Sequence, residues 1–432
     1  MSNNSRQYFR EDSFFDVPKD GDIIALKFIC NDFSKYGANL SAENYSTDGS
    51  RFIRTSDIDE DGKLSVDGVY IDEDLALEYK LKKGDFLLSR SGTLGRGYLY
   101  NELDGNCSYA GYLIKYSLNE LIVNPKFIFY CTKTSQFNGW LNYSVIEATI
   151  GNINGEKYAN LPLPIPSIEQ QNKIVHYLDR EIAKIDALIE KKTKLIALLE
   201  EKKKAVINQA VTKGLDTSVA MKDSGIEWLG EIPEHWEVNK ISRVFDSIGS
   251  GTTPTSSNLE YYQDGNHSWL ITSDLNDSYI FETSKKITDA AVYDFSALKL
   301  FPSNSLVIAM YGATIGKTGL TKIECYTNQA CCVISNSTKV HIRYAHFYFI
   351  AMKQNLVNLS NGGGQPNISQ GIIRDFKIVY PNLIEQEKII NFLENKIEET
   401  DLTIQKIIKT INLLKEKRTA IISAAINGEI EL

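Results

Sequence analysis

Two long helical runs of one design constrain this chain more than any other feature. From Ser167 to Thr212 the apolar residues Leu178, Ile182, Ile185, Ile189, Ile196, Leu199, Val206 and Ala210 recur at alternating steps of four and three, with Lys192 and Lys203 in the remaining seam positions. Such a heptad seam belongs to a helix that packs lengthwise on another helix. Ser167 after Pro166, with Gln170 three residues on, offers side chains to the orphan amides of the first turn, and Gly214 supplies the stop. At about 1.5 Å per residue the rod is on the order of 70 Å long. A shift of 215, the difference between 381 and 166, carries Pro166 onto Pro381 and the seam onto Leu393, Ile397, Thr400, Ile404, Ile411, Leu414, Ile421 and Ala425. Lys192 then meets Ile407, Lys203 meets Arg418, and Asn382 with Glu385 repeats the capping pair. A rod this long cannot bury its seam alone, so its own duplicate is the economical partner.

With 432 residues, 43% hydrophobic and 24% charged, the chain has room for two or three domains with proper cores. No apolar run approaches the roughly 20 residues of a membrane span, and Met1 to Arg10 carries no secretory core, so a cytoplasmic protein is expected. Neither the six cysteines nor the five histidines fall at metal-ligand spacing; buried free thiols are expected and no metal. The net charge of -8 counts against nucleic acid at first sight. Its distribution counts for more: the first rod carries 10 basic and 7 acidic residues, whereas the blocks on either side are acidic.

Those blocks consist of short β-rich runs between turn residues. Phe86-Leu87-Leu88-Ser89, Tyr112-Leu113-Ile114-Lys115 and Phe127-Ile128-Phe129-Tyr130 mark the first, the last of these compatible also with a short helix. Leu306-Val307-Ile308-Ala309, Cys332-Val333-Ile334 and His346-Phe347-Tyr348-Phe349 mark the second. The blocks match each other: Thr55-Ser56-Asp57-Ile58 with Thr272-Ser273-Asp274-Leu275, Thr93-Leu94-Gly95-Arg96 with Thr314-Ile315-Gly316-Lys317, Asn152-Ile153-Asn154 with Asn367-Ile368-Ser369. The reading is an α+β chain of two pseudo-symmetric α/β domains, residues 1–166 and 215–381, alternating with spacer helices, residues 167–214 and 382–432. Packed antiparallel, the two rods form a coiled-coil spacer whose pseudo-two-fold axis puts a head at each end.

Gly312-Ala313-Thr314-Ile315-Gly316-Lys317-Thr318 resembles a phosphate-cradling P-loop but is one residue short between its glycines, and its counterpart from Gly92 to Arg96 lacks Lys-Thr. A tight glycine loop between two strands explains both copies better. Glycine lets a backbone approach DNA closely, so Arg90, Ser91, Thr93 and Arg96 in one copy, and Tyr311, Thr314, Lys317 and Thr318 in the other, are candidates for phosphate or base contacts; a turn that serves only packing is the alternative. The polar turns that carry Asn152 and Asn154, and Gln365 and Asn367, cluster amides that suit adenine or serve as caps. Glu78-Tyr79-Lys80 behind Asp67 and Asp72 is a nuclease-like triplet, better read as a solvated face.

The stretch Asp223-Ser224-Gly225-Ile226-Glu227-Trp228-Leu229-Gly230-Glu231-Ile232-Pro233-Glu234-His235-Trp236 resembles the linker that opens the second target-recognition domain in specificity subunits of Type I restriction-modification systems. The resemblance extends to Gly84-Asp85-Phe86-Leu87-Leu88-Ser89-Arg90-Ser91-Gly92-Thr93-Leu94-Gly95, to the starts of both rods and to the duplicated order, and covers essentially the whole chain. It implies that each globule reads one half of a bipartite double-stranded DNA target and that the rods set the gap. Catalysis then belongs to two methyltransferase subunits and, through them, to endonuclease subunits, and S-adenosylmethionine, ATP and magnesium bind those partners rather than this chain. One departure stands out: Pro18-Lys19-Asp20-Gly21 aligns with Pro233-Glu234-His235-Trp236 and has no tryptophan, so a different packing is expected at the start of the first domain. An adaptor with two protein-binding heads, or a P-loop enzyme that binds ATP by itself, are the readings from other classes.

Overall fold

The computed structural model describes residues 14–16, 20–146, 152–360 and 367–432. The chain forms two compact units, one of Met1–Thr193 with Ile408–Leu432, the other of Lys194–Ile407. Both long helices cross the boundary, so each unit owns a sheet domain and part of each helix.

In the first unit, strands β1 (Gly21–Ala25), β2 (Lys35–Tyr36), β3 (Tyr45–Ser46), β4 (Ser50–Ile53), β5 (Val69–Ile71), β6 (Asp85–Ser89), β7 (Gly97–Leu99), β8 (Cys107–Tyr109), β9 (Leu113–Ser117) and β10 (Pro162–Pro166) form three sheets. Their orders are β2-β9-β6-β7, β3-β5-β4-β8 and β1-β10. The second unit contains β11 (Met221–Asp223), β12 (Glu231–Pro233), β13 (Glu237–Lys240), β14 (Ser247–Ser250), β15 (His267–Leu270), β16 (Ser278–Ile280), β17 (Lys285–Ile287), β18 (Leu306–Ala309), β19 (Thr318–Thr321), β20 (Tyr326–Thr327), β21 (Cys331–Ser335) and β22 (Lys377–Tyr380). These run β14-β21-β18-β19-β16, β17-β15-β20, β13-β22 and β11-β12.

The duplication reaches the level of register. Asp22 faces Ile165 and Ala25 faces Pro162; 215 positions on, Glu237 faces Tyr380 and Lys240 faces Lys377. In the paired Thr-Ser-Asp turns, Asp57 Oδ2 accepts from Arg54 N at 2.9 Å and Asp274 Oδ2 accepts from Ile271 N at 3.0 Å.

Strands β6 and β18 are apolar without alternation because both faces are covered. Phe86 and Leu88 enter one core and Leu87 another; Leu306 and Ile308 enter one and Val307 and Ala309 another. Two apolar runs are helices rather than strands. Phe127 to Tyr130 lie in the helix Pro125–Cys131, capped by Asn124, whose side chain accepts from Lys126 N, with Pro125 at its first position. His346 to Phe349 lie in the helix Ile342–Ala351, with the six residues from Tyr344 to Phe349 buried. A helix buried all round has no polar face to show its period, so its sequence imitates a buried strand.

The long helices span Ile168–Lys213 and Leu383–Ile426. Gly214, at φ 78°, ends the first, and Gly428, at φ 72°, follows the second. Ser167 Oγ and Asn382 Oδ1 accept from the amides of Gln170 and Glu385, as N-caps do. The Glu385 carboxylate does not reach back; it accepts from Trp236 Nε1 at 3.1 Å and pairs with His235 Nε2 at 2.8 Å. In the first unit Gly21 stands where Trp236 does, and an added Cβ there would lie 2.2 Å from the Ile165 carbonyl oxygen. That space holds backbone, so the first domain starts without an indole.

Inside each unit the helix segments run antiparallel. In the first, Leu178 packs with Ile422, Ala425 and Ile426, and Arg418 Nη1 meets Asp186 Oδ1 at 3.0 Å. In the second, Ile207 and Ala210 pack with Ile389, Ile390 and Leu393, and Lys203 Nζ meets Asp401 Oδ1 at 2.7 Å. The seam positions from Leu178 to Ala210 and from Leu393 to Ala425 are buried or half-buried, while Leu188, Leu198, Leu402 and Leu413 between them are exposed. Of the cations that interrupt the seam, Lys203 and Arg418 are ion-paired.

Candidate nucleic-acid interface

The two glycine loops are hairpins. Gly92 to Arg96 joins the antiparallel strands β6 and β7, and Gly312 to Lys317 joins β18 and β19. A P-loop must deliver its amides to the start of a helix, and here a strand follows. The closures match: Gly95 N donates to Ser89 O and Gly316 N to Ala309 O. Both glycines need positive φ, 75° and 73°, and a Cβ would strike Leu141 at the first and Val357 at the second. The buried Tyr158 hydroxyl secures the first loop by accepting from Gly95 N at 3.1 Å and donating to Ser89 O at 2.8 Å.

Each hairpin lies against the polar turn ahead of its long helix. Ile153 N donates to Arg90 O at 3.0 Å, and Ile368 N donates to Met310 O at 2.7 Å. The structure thus brings together two candidate stretches that lie about 60 residues apart in each copy. Arg90 Nε donates to Asn152 Oδ1 at 3.3 Å, and its guanidinium lies 4.8 Å above the ring of Tyr36. Ser91 is half-buried and Thr93 exposed; the Thr93 carbonyl accepts from the Ser89 hydroxyl. Tyr311 and Asn367 form a backbone bridge, with Tyr311, Thr314 and Lys317 half-buried and Asn367 exposed. Gln365, Thr149 to Gly151, Gly362 to Gly364 and Pro366 lie outside the described residues, as do Pro18 and Lys19.

Three candidates are committed to the fold. Thr318 is completely buried, and its hydroxyl and amide both donate to Asp277 Oδ1, at 3.1 and 2.7 Å, so it offers nothing to DNA. Asn154 caps the helix Gly155–Ala159 by accepting from Lys157 N at 2.8 Å, leaving its amide nitrogen as its outward group. Arg96 is half-buried and donates from Nη1 to Ile58 O at 2.7 Å. That contact ties the first hairpin to the loop Asp59–Lys63, which is clasped from below: Asp61 and Asp186 both pair with Arg418, and Lys133 Nζ donates to Glu60 O at 2.9 Å. Burial pushes the Asp61 carboxyl up, but the Arg418 guanidinium outweighs it and holds the group below its ordinary value. Burial drives Lys133 down to about 8.

The sequence Asp57-Ile58-Asp59-Glu60-Asp61-Gly62 has the spacing of a calcium loop, yet Asp57 is bound by Arg54 and Asp61 by Arg418, so these two carboxylates are paired with guanidinium groups. Around the nuclease-like triplet, Lys80 Nζ pairs with Glu73 at 2.6 Å, and Asp67, Asp72 and Glu78 are exposed. Among the described residues no group of three or more His, Cys, Asp or Glu is arranged to hold a metal ion, and no helix is long and apolar enough to cross a membrane.

Sequence reasoning passed over Tyr36, Asp277, and the pair Gln171 and Gln386. Nothing local singles out Tyr36 or Asp277, whose partners lie 54 and 41 positions away. The glutamines had a signal, since they coincide under the shift of 215.

A repeated fold with paired hairpins marks a protein built by duplication. Consistent with that class, a family model described as the Type I restriction modification DNA specificity domain matches residues 18–198 and again 233–413. The chain belongs to this family. It is similar to the putative type I restriction enzyme MjaX specificity subunit of Methanocaldococcus jannaschii, 24% identical over 403 residues that make up 90% of each chain. The MjaVIII specificity subunit of the same organism is 24% identical over 440 residues, 94% of this chain and 96% of the relative. The Escherichia coli EcoR124I/EcoR124II specificity subunit is 25% identical over 272 residues, 59% of this chain and 61% of the relative. In fold, the chain resembles a structure described under complex assembly and conformational transition of the type I R-M system, with a TM-score of 0.68 at 18% identity, covering 96% of this chain and 100% of that one. It also resembles the HsdS subunit from Thermoanaerobacter tengcongensis, with a TM-score of 0.51 at 15% identity, covering 96% and 98%.

Proposed function

We propose that this chain selects the DNA sequence on which a type I restriction-modification complex acts, each unit reading one half of a bipartite target while the long helices set the spacing. One observation carries this reading: the frame is repeated, while several residues at its hairpins differ. Registers agree pair for pair 215 positions apart, whereas Arg90 becomes Met310, Ser91 becomes Tyr311 and Arg96 becomes Lys317 at the hairpins. A duplicated scaffold with divergent loops suits two different short sequences at a fixed distance.

The chain carries recognition without catalysis, in the cytoplasm, on double-stranded DNA. Adenine methylation belongs to two methyltransferase subunits, and cleavage to endonuclease subunits held through them. S-adenosylmethionine, ATP and magnesium are theirs. The net charge of -8 accords with a chain that leaves much of the phosphate contact to its partners, so the isolated chain binds DNA weakly.

The experiment is co-expression with the cognate methyltransferase, followed by mapping of methylated adenines. A motif of two short blocks with a fixed gap is expected, and a heptad inserted in both long helices changes the gap but not the blocks. A continuous motif, or methylation unchanged after deletion of 215–432, overturns the reading.

A further inference from the structure

We propose that Arg90 reads a guanine, through its two terminal amino groups in the major groove, and that the second unit has no counterpart to this contact. The inference rests on the DNA-reading function proposed above and adds to it a base and a residue.

Arg90 is held from four directions. Its N–H donates to Tyr112 O at 2.9 Å, and its carbonyl accepts from Ile153 N at 3.0 Å. Its Nε donates to Asn152 Oδ1, and its guanidinium lies over the Tyr36 ring, 4.8 Å from the ring centre. Tyr36 is itself fixed, for its hydroxyl accepts from Gly155 N at 2.8 Å. The fit there is close, because an added Cβ on Gly155 would come within 2.8 Å of Ser34 Oγ and 3.2 Å of the Tyr36 hydroxyl. The side chain is therefore ordered up to Nε, and among the described residues nothing bonds Nη1 or Nη2.

Among the described residues, the other arginines of this sheet domain each give a terminal amino group to the fold. Arg51 donates to Ser65 O, Arg54 is paired with Asp57, and Arg96 donates to Ile58 O. No carboxylate lies within ion-pair distance of Arg90 among the described residues. Beside it the hairpin is open: a Cβ on Gly92 would meet nothing within 4 Å, and Tyr112 is 66% exposed. Arg90 is half-buried, and a planar fork with both terminal amino groups unbonded among the described residues matches the two acceptors of guanine, O6 and N7. A phosphate contact needs only charge, which a mobile lysine supplies without a stacked ring or an amide at Nε.

The second unit keeps the frame and drops the group. Met310 occupies the equivalent place, with its carbonyl accepting from Ile368 N as that of Arg90 accepts from Ile153 N, and its side chain is buried. The guanine contact is thus confined to the first half-site.

The test uses the chain in complex with its methyltransferase subunits on duplexes that carry the mapped target, with 7-deazaguanine, which lacks N7, replacing one guanine at a time. One guanine in one half-site is expected to respond, its replacement weakening binding about 5- to 150-fold. With Arg90→Ala the same replacement changes affinity less than about 2-fold, because the contact is already gone. Arg90→Lys weakens binding to the unmodified target as Ala does while keeping the salt dependence of the native complex. Wild-type affinity in Arg90→Lys, equal weakening of Arg90→Ala on every sequence, or indifference to each guanine overturns the assignment. The measurement on modified DNA needs no variant, so a folding defect cannot mask the outcome. If the complex methylates no defined sequence, the functional reading fails; if it methylates a bipartite sequence and no guanine responds, Arg90 alone is struck out.

Discussion

Gln171 and Gln386, 215 positions apart, make the same three hydrogen bonds. Gln171 Oε1 accepts from Asn124 N at 2.8 Å, and its Nε2 donates to Pro166 O at 2.8 Å and Ile122 O at 3.3 Å. Gln386 Oε1 accepts from His341 N at 2.7 Å, and its Nε2 donates to Pro381 O at 2.8 Å and Lys339 O at 2.9 Å. Both side chains are completely buried, and Asn124 and His341 each cap a helix of the sheet domain. A long helix is thus locked to its domain by one amide that satisfies three backbone groups. Truncation to alanine leaves those groups unpaired without water to replace them, so each variant should lose roughly 2–4 kcal/mol. Hydrogen exchange resolved by segment checks this: Gln171→Ala should loosen the first unit and Gln386→Ala the second. Uniform loosening, or none, contradicts the assignment.

Arg418 joins Asp61 and Asp186, all three partly buried. Asp61 sits below its ordinary carboxyl value in the folded chain, so its contribution is complete above about pH 4 and fades as pH falls through the lowered value. Arg418→Ala should cost roughly 1–2 kcal/mol at pH 7, after allowance for solvent at the pair. Denaturation followed by a probe in the first unit, at pH 7 and pH 3, should find the variant and the wild type converging at the lower pH.

Lys133 gives a slope of the same sign at high pH. Its folded value, about 8, lies below its ordinary 10.5 because burial disfavours the charge. Between those values the unfolded chain binds the extra proton, so stability rises with pH, by at most about 1.4 kcal/mol per pH unit. Lys133→Met lacks this term. Urea titrations at pH 7.5, 8.5 and 9.5 should show the wild type gaining on the variant; a constant difference refutes the assigned environment.

Leu393 is completely buried in the seam, and Leu413, on the same helix, is 53% exposed. Leu393→Ala should cost roughly 2–4 kcal/mol through lost transfer energy and the cavity left behind. Leu413→Ala should stay within about 0.5 kcal/mol. Equal effects on thermal unfolding would mean that the register is wrong.

The long helices, their caps and their shared seam were legible because they follow local, periodic rules: a seven-residue repeat, an oxygen before the first turn, a glycine after the last. Their division between units was not, because a helix carries no mark of where its neighbours change. The hairpins were legible from their glycines, since positive φ at Gly95 and Gly316 is a demand of the backbone itself. The helix containing His346 was not, because burial on every side erased its period.

By itself the sequence determined the duplication, the two helices and the place of the loops, since each is written in repeats, spacing and backbone preference. Only the tertiary structure decided which loop side chains are available. Thr318 is claimed by Asp277, Arg96 by Ile58 and Asn154 by its own helix, while Arg90 lies over Tyr36 with its terminal amino groups unbonded among the described residues. Most of these commitments are made through space by groups tens of residues away, and no local rule ranks them.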